Sequence, residues 1–236
     1  GGGGSGPVPP TAEFTVTAEP CGEVTLTSDT TRTYPDIAHL CADLVGVLNH
    51  FVGRSATQVM LHAAALADPG GHVVLFPADR NAGKSTLAGA LVRHGWTYLT
   101  DEAAALDPES NAVLPYAKPL TLDASSRRVL EVGDSTGDQV PLGSIEPGAL
   151  PWIGPAPSPT AVIVPSYNPD ATPRSEKLAF PTSLVALVEN TLNLFLVEEA
   201  GLKALVRLEA TVPVYRITYG DTASALALVD DICGRA

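Results

Sequence analysis

The sequence predicts an α/β protein whose mixed sheet is flanked by helices, and three observations point there. A short apolar run, HVVLF (72–76), leads through a glycine-containing loop and a helix-patterned stretch into a second apolar run, WTYLT (96–100). Strand, loop, helix and strand in about 30 residues is a βαβ unit. The C-terminal third repeats the alternation: AVIV (161–164), a helical pattern from Thr182 to about Leu208, PVYRITY (213–219), then DTASALALVDDIC (221–233), which opens on an Asp cap. With 45% apolar and 17% charged residues among 236, the chain can build one sizeable core.

In chain order, residues 1–10 (GGGGSGPVPP) hold five glycines and three prolines, the composition of a flexible tail, and a single domain is expected over 11–236. These ten residues have neither a basic start nor an apolar run, so no secretory leader is expected in them. AEFTVTAE (12–19) and GEVTLTS (22–28) alternate around Pro20-Cys21-Gly22 and predict a β-hairpin. From Asp36, Ile37, Leu40, Cys41, Leu44, Val45, Val47 and Leu48 recur at three- and four-residue spacing, which predicts a helix ending near Gly53. PADRNAGKST (77–86) is expected to be a loop opening into a helix, Ser85 to His94, closed by Gly95, with the two flanking strands forming a parallel pair. The region 112–122 suggests short strands turning at each proline. Ten of the 21 prolines lie between 141 and 181, which predicts loop and edge strand around AVIV and little helix.

Charge and cysteine usage narrow the function classes. Twenty-six acidic against 14 basic residues give a net charge of −12, so neither a nucleic acid nor an anionic membrane is the expected partner. Leu184 to Val206 is interrupted by Glu189, Asn190, Asn193, Glu198, Glu199 and Lys203, and reads as an amphipathic helix rather than a membrane span. Three cysteines, Cys21, Cys41 and Cys233, fit a reducing, cytoplasmic compartment better than a disulfide scaffold. A homo-oligomer is compatible with all of this. Within the acidic chain, residues 80–100 contain no Asp or Glu and carry Arg80, Lys84 and Arg93, so the natural anion site lies there.

That window holds the sharpest motif. Ala78-Asp79-Arg80-Asn81-Ala82-Gly83-Lys84-Ser85-Thr86 matches G-x-x-x-x-G-K-[ST], with alanine at the first glycine, a position that often needs a backbone unfavourable to a Cβ. Loop amides and the helix N-terminus would surround phosphate oxygens, Lys84 would reach the β- and γ-phosphates, and Ser85 would ligate Mg2+. Asp101 and Glu102 follow the second strand; they read either as a metal ligand and a proton acceptor or as a solvated helix N-terminus. His62, inside the apolar run QVMLHAAAL (58–66), is a buried structural histidine or one facing the site. Lys118 in YAKPL reads as a solvated lysine, with a substrate-facing role as the other reading.

The order LHAAAL (61–66), GHVVLFPADRNAGKSTLAGALVRHGWTYLTDE (71–102), VLPYAKPLTL (113–122) and PVYRITYGDTASALALVDDI (213–232) resembles the C-terminal domain of HPr kinase/phosphorylase over about residues 56–232. More narrowly it looks like the short HPr-kinase-like proteins, including those that modify lasso-peptide precursors. The resemblance implies a P-loop domain of the HPr kinase and PEP carboxykinase type that uses ATP and Mg2+. It carries Asp101 onto the general base, Glu102 onto its Mg2+-binding partner and His62 onto the histidine that precedes the phosphate-loop strand. The implied acceptor is a hydroxyl, foremost a peptide serine. The other readings are a small-molecule hydroxyl kinase and a nucleotide-binding accessory protein without catalysis.

Overall fold

Alternating β-branched and polar residues shape the N-terminal strands, and runs of small and aliphatic residues shape the later ones. The computed structural model describes residues 13–28, 30–37, 39–40, 43–44, 57–79, 82–133 and 138–235. Where the sequence suggests one domain over 11–236, the chain divides into two compact units, Gly1–Ala56 and Thr57–Ala236. The tail 1–10 and the helix end near Gly53 lie outside the described residues.

In the first unit, β1 (Thr15–Ala18) and β2 (Val24–Thr27) form the expected hairpin, and β3 (Thr31–Tyr34) adds a third antiparallel strand. Val24 and Leu26 point inward with Leu40, and Phe14, Tyr34 and Leu44 pack against them. Residues 37, 39, 40, 43 and 44 are helical, in keeping with the spacing read from Asp36.

The second unit runs β4 (Val59–Leu61), β5 (Ala63–Ala67), β6 (Val73–Pro77), α1 (Lys84–Arg93), β7 (Thr97–Thr100), β8 (Ala104–Leu106), β9 (Val113–Leu114), β10 (Leu120–Thr121), α2 (Ala124–Val129), β11 (Gln139–Val140) and α3 (Leu142–Ile145). It continues with β12 (Ala161–Tyr167), β13 (Arg174–Lys177), α4 (Thr182–Glu189), α5 (Leu194–Thr211), β14 (Val214–Tyr219) and α6 (Thr222–Ile232). The main sheet has the order β13-β14-β12-β6-β5-β7 and is mixed: β14, β12 and β6 are parallel neighbours, while β5 is antiparallel to both β6 and β7.

One expectation is corrected here. β6 and β7 run in the same direction but are not neighbours, because β5 lies between them. Four alanines and a leucine make β5 thin enough to be buried on both faces, so it fits between β6 and the edge strand β7 despite lacking β-branched residues. Successive residues of β6 divide between two cores. Val74 and Phe76 pack with Leu87 and Leu91 of α1 and Ala225 and Val229 of α6, whereas Val73 and Leu75 pack with Leu187 of α4 and Leu205 and Leu208 of α5. Helices therefore cover both faces of the sheet.

The helix expected from Thr182 to Leu208 is broken between α4 and α5, and α5 is itself kinked at Glu198, whose φ of 43° is not helical. Asn193, in the break, accepts a hydrogen bond from the Met60 N–H (2.9 Å) and donates one to the Gln58 carbonyl (2.9 Å), which ties the break to β4. The proline-rich stretch also holds more order than expected: α3, β13, and a β12 that continues past AVIV to Tyr167. Among the described residues no helix is long and apolar enough to cross a membrane.

A second, three-stranded sheet, β4-β8-β9, continues the main one. Leu61 opposes Ala104 and Ala65 opposes Thr100, so β4–β5 and β7–β8 form one antiparallel ribbon with three unladdered residues on each arm, 62–64 and 101–103. His62 and Asp101 both fall in that gap.

Candidate functional site

The loop after β6 turns into α1 through Gly83, whose φ of 82° lies in the left-handed region that glycine adopts without strain. Among the described residues no side chain caps the first turn of α1, and no acidic residue sits in that turn, so its positive dipole end faces the loop. Lys84 curls back over the loop: its buried Nζ donates to the Ala78 carbonyl (2.6 Å) and the Asp79 carbonyl (2.7 Å). Among the described residues, the non-glycine positions with positive φ are Asn111, Glu131 and Glu198. Ala78 therefore occupies the first-glycine position with an ordinary backbone, and its Cβ adds no strain. Arg80 and Asn81 lie outside the described residues.

On the other side of the loop, β7 delivers Asp101 into the interior. Its Oδ1 accepts a hydrogen bond from the Tyr98 hydroxyl (2.8 Å) and lies 2.8 Å from Nζ of Lys118, which is also 3.4 Å from Oε2 of Glu102. Burial, and then the charge of Asp101, push the Tyr98 hydroxyl well above its ordinary pKa, so it stays protonated and donates. Oδ2 of Asp101 is buried and has no hydrogen-bond partner among the described residues. A buried carboxylate oxygen without a donor is costly, and such atoms concentrate where a ligand or a reacting proton supplies what is missing.

Two sequence readings change at this point. Asp101 and Glu102 do not begin a helix; they lead through Ala103 into β8. Nor is Lys118 solvated: it is buried, and Nζ also donates to the Pro119 carbonyl (3.2 Å) and Thr121 Oγ1 (3.3 Å). The cause lies two residues upstream, where the Tyr116 N–H bonds the Leu99 carbonyl (3.1 Å) and pins the proline-flanked segment on β7, bringing Lys118 beside Asp101.

A cavity of about 660 Å3 joins these groups; His62, Lys84, Ser85, Thr86, Asp101 and Glu102 all line it. His62 is half-buried, its carbonyl accepts from the Ala78 N–H (3.3 Å), and its own N–H donates to the Asn190 carbonyl (2.7 Å), which fixes the start of β5 against the loop. Of the loop positions singled out in the sequence, Gly83 to Thr86 reach the cavity wall, while Ala78, Asp79 and Ala82 shape the loop behind it. The wall also includes groups that sequence reasoning missed. Thr86 Oγ1 donates to Ser126 Oγ (2.7 Å) at the start of α2, and Asp123 caps that helix by accepting from the Ser126 N–H (2.7 Å). The Asp-Ala-Ser-Ser order of 123–126 carries a recognisable cap signal. Tyr167 and Tyr219 line the far side, and nothing local in the sequence brings them together.

The donor chemistry suits Mg2+. Ser85, Asp101 and Glu102 offer hard oxygens in one cavity, and Mg2+ takes one or two carboxylates while keeping water and phosphate as its other ligands. Among the described residues there is no cluster of three or more His, Cys, Asp and Glu of the kind that would cage a metal alone. No protein-family model and no curated protein matches the chain.

Proposed function

We propose that the unit Thr57–Ala236 is a Mg2+- and ATP-dependent kinase of the HPr-kinase-like P-loop type, transferring a phosphoryl group to a hydroxyl, foremost a peptide serine. One observation carries the reading: Asp101, which lines the cavity that also holds the Lys84 loop, is anchored twice through Oδ1, while its buried Oδ2 lacks a donor among the described residues. In this reading the α1 N-terminus and the loop amides bind the triphosphate, and Lys84 moves its amine from the loop carbonyls to the β- and γ-phosphate oxygens. Asp101 takes the acceptor's proton on Oδ2, with His62 as the neighbouring titratable group that orients it. The acceptor oxygen then bonds to the γ-phosphorus as the bridging bond to the β-phosphate breaks and ADP leaves. Mg2+, held by Ser85, Glu102 and Asp101, would neutralise charge on the phosphate oxygens. The cytoplasmic setting that ATP requires agrees with the free thiols of Cys21 and Cys233.

The Lys118 ion pair favours a second reading, because a cation already satisfying Asp101 and Glu102 suits a nucleotide-binding accessory protein without transfer. Incubating the chain with MgATP and a panel of serine peptides and small hydroxyl metabolites, read by mass gain, separates the alternatives. Asp101→Asn is expected to lower transfer by about 10^2 to 10^4 while nucleotide binding persists. Equal transfer by wild type and variant removes Asp101 from the chemistry, and binding without any product leaves the accessory reading.

A further inference from the structure

The strand order sets the direction in which a nucleotide must lie. Along the edge where the phosphate loop follows β6, β5 and β7 bring His62 and Asp101 to one flank, and β12 and β14 end in Tyr167 and Tyr219 on the other. A γ-phosphate directed toward Asp101 sends the rest of the molecule toward the tyrosines. Neighbouring strands are spaced about 4.8 Å apart, so the two rings lie within one or two strand widths of the loop strand.

The tyrosines form a built surface. They oppose each other in the parallel register of β12 and β14, with ring centroids 5.9 Å apart and planes tilted by 55°. Tyr219 is 5% exposed and Tyr167 53% exposed, so one ring is fixed in the core and the other presents itself to solvent. Both abut the loop: a Cβ on Gly83 would lie 3.4 Å from Tyr219 Oη and 3.9 Å from Tyr167 Cβ. Apart from His62 on the opposite flank, they are the aromatic residues lining the cavity among the described residues. The arm toward α2 is lined instead by Asp123, Asp138, Thr121 and serines, which offers no ring to stack on. Behind the tyrosines, a Cβ on Gly220 would come within 2.8 Å of the Pro169 carbonyl, so the turn after β12 closes directly over the end of β14 and holds the pair in place.

We infer that the Tyr167–Tyr219 pair is the stacking platform for the base of the bound nucleotide, across the phosphate loop from Asp101. The inference rests on the nucleotide-binding reading above and adds to it the position of the base. Stacking reads a π-face rather than a hydrogen-bond pattern, so the platform accepts either purine.

Calorimetric titration of the full chain with MgATP and with magnesium tripolyphosphate tests it. Wild type is expected to bind MgATP more tightly. Tyr167→Ala should weaken MgATP binding by about five- to hundredfold, the span of one lost base–aromatic stack, and leave tripolyphosphate binding unchanged. Tyr167→Phe should retain the wild-type preference, and the exposure of Tyr167 keeps both variants folded, which circular dichroism checks. If Tyr167→Ala weakens both ligands alike, or neither, the platform is overturned while the phosphate loop stands. If wild type binds neither ligand, the nucleotide reading falls first and takes the platform with it.

Discussion

Asp43 in the first unit and Asp101 in the second meet the same kinds of donor in different surroundings. Asp43 Oδ2 accepts from the Tyr34 hydroxyl (2.6 Å) and from Arg32 (2.8 Å), and Asp101 Oδ1 takes the Tyr98 hydroxyl and Lys118, each at 2.8 Å. The Arg32–Asp43 side chains are 53% and 44% exposed, the Lys118–Asp101 side chains 4% and 1%. The Asp43 side chain is thus open to solvent. For Asp101 the second oxygen is buried and unserved among the described residues. What distinguishes Asp101 from Asp43 is thus not the identity of its partners but the lone pairs left over once water is shut out.

The sharpest break of this contrast is Lys118→Met, which leaves an uncompensated buried charge and is expected to cost about 3–5 kcal/mol in urea unfolding. Adding Asp101→Asn should restore a large part of that loss. A single variant as stable as wild type would show that the pair is better solvated than its burial indicates. Next comes Tyr98→Phe, which removes a donor from a charged acceptor and should cost about 1.5–3 kcal/mol by the same measurement.

Asp123 tests the exposed end. The Ser126 N–H, followed by the Ser125 and Ser126 hydroxyls, holds its carboxyl down at about 2 against an ordinary 3.8. A lowered folded-state pKa stabilises above the unfolded value, so the contribution of this cap is full above about pH 4 and fades as pH falls toward 2. Asp123→Asn should flatten that part of an acid-unfolding curve. The smallest effect belongs to Arg32→Ala, for which stability should be indistinguishable from wild type at physiological salt, because exposed ion pairs are screened.

These particular residues also mark how far the sequence could be read. The loop, α1, β7 and α6 were legible because each is specified locally, by a glycine turn, a cap or a short apolar run. The place of β5 was not, since an alanine run carries no strand propensity and its position depends on packing against helices far along the chain. Lys118 was misread for a related reason: its burial comes from the Tyr116–Leu99 hydrogen bond and a charge on another strand. The tyrosine pair depends on the register between strands some 50 residues apart, for which no short-range signal exists.

The ribbon made by β4–β5 and β7–β8 works as a ruler. Its ladder carries the same register at Leu61–Ala104 and Ala65–Thr100 and slips by one residue only beyond, between Ala65 and Leu66, so His62 and Asp101 keep their separation while the arms 62–64 and 101–103 match in length. One residue added to a single arm would turn over every side chain beyond it and exchange core for solvent. Length change in this part of the molecule is therefore a paired event: the two arms lengthen or shorten together, or a bulge like the one between Ala65 and Leu66 takes up the difference, or the strands beyond lose their register.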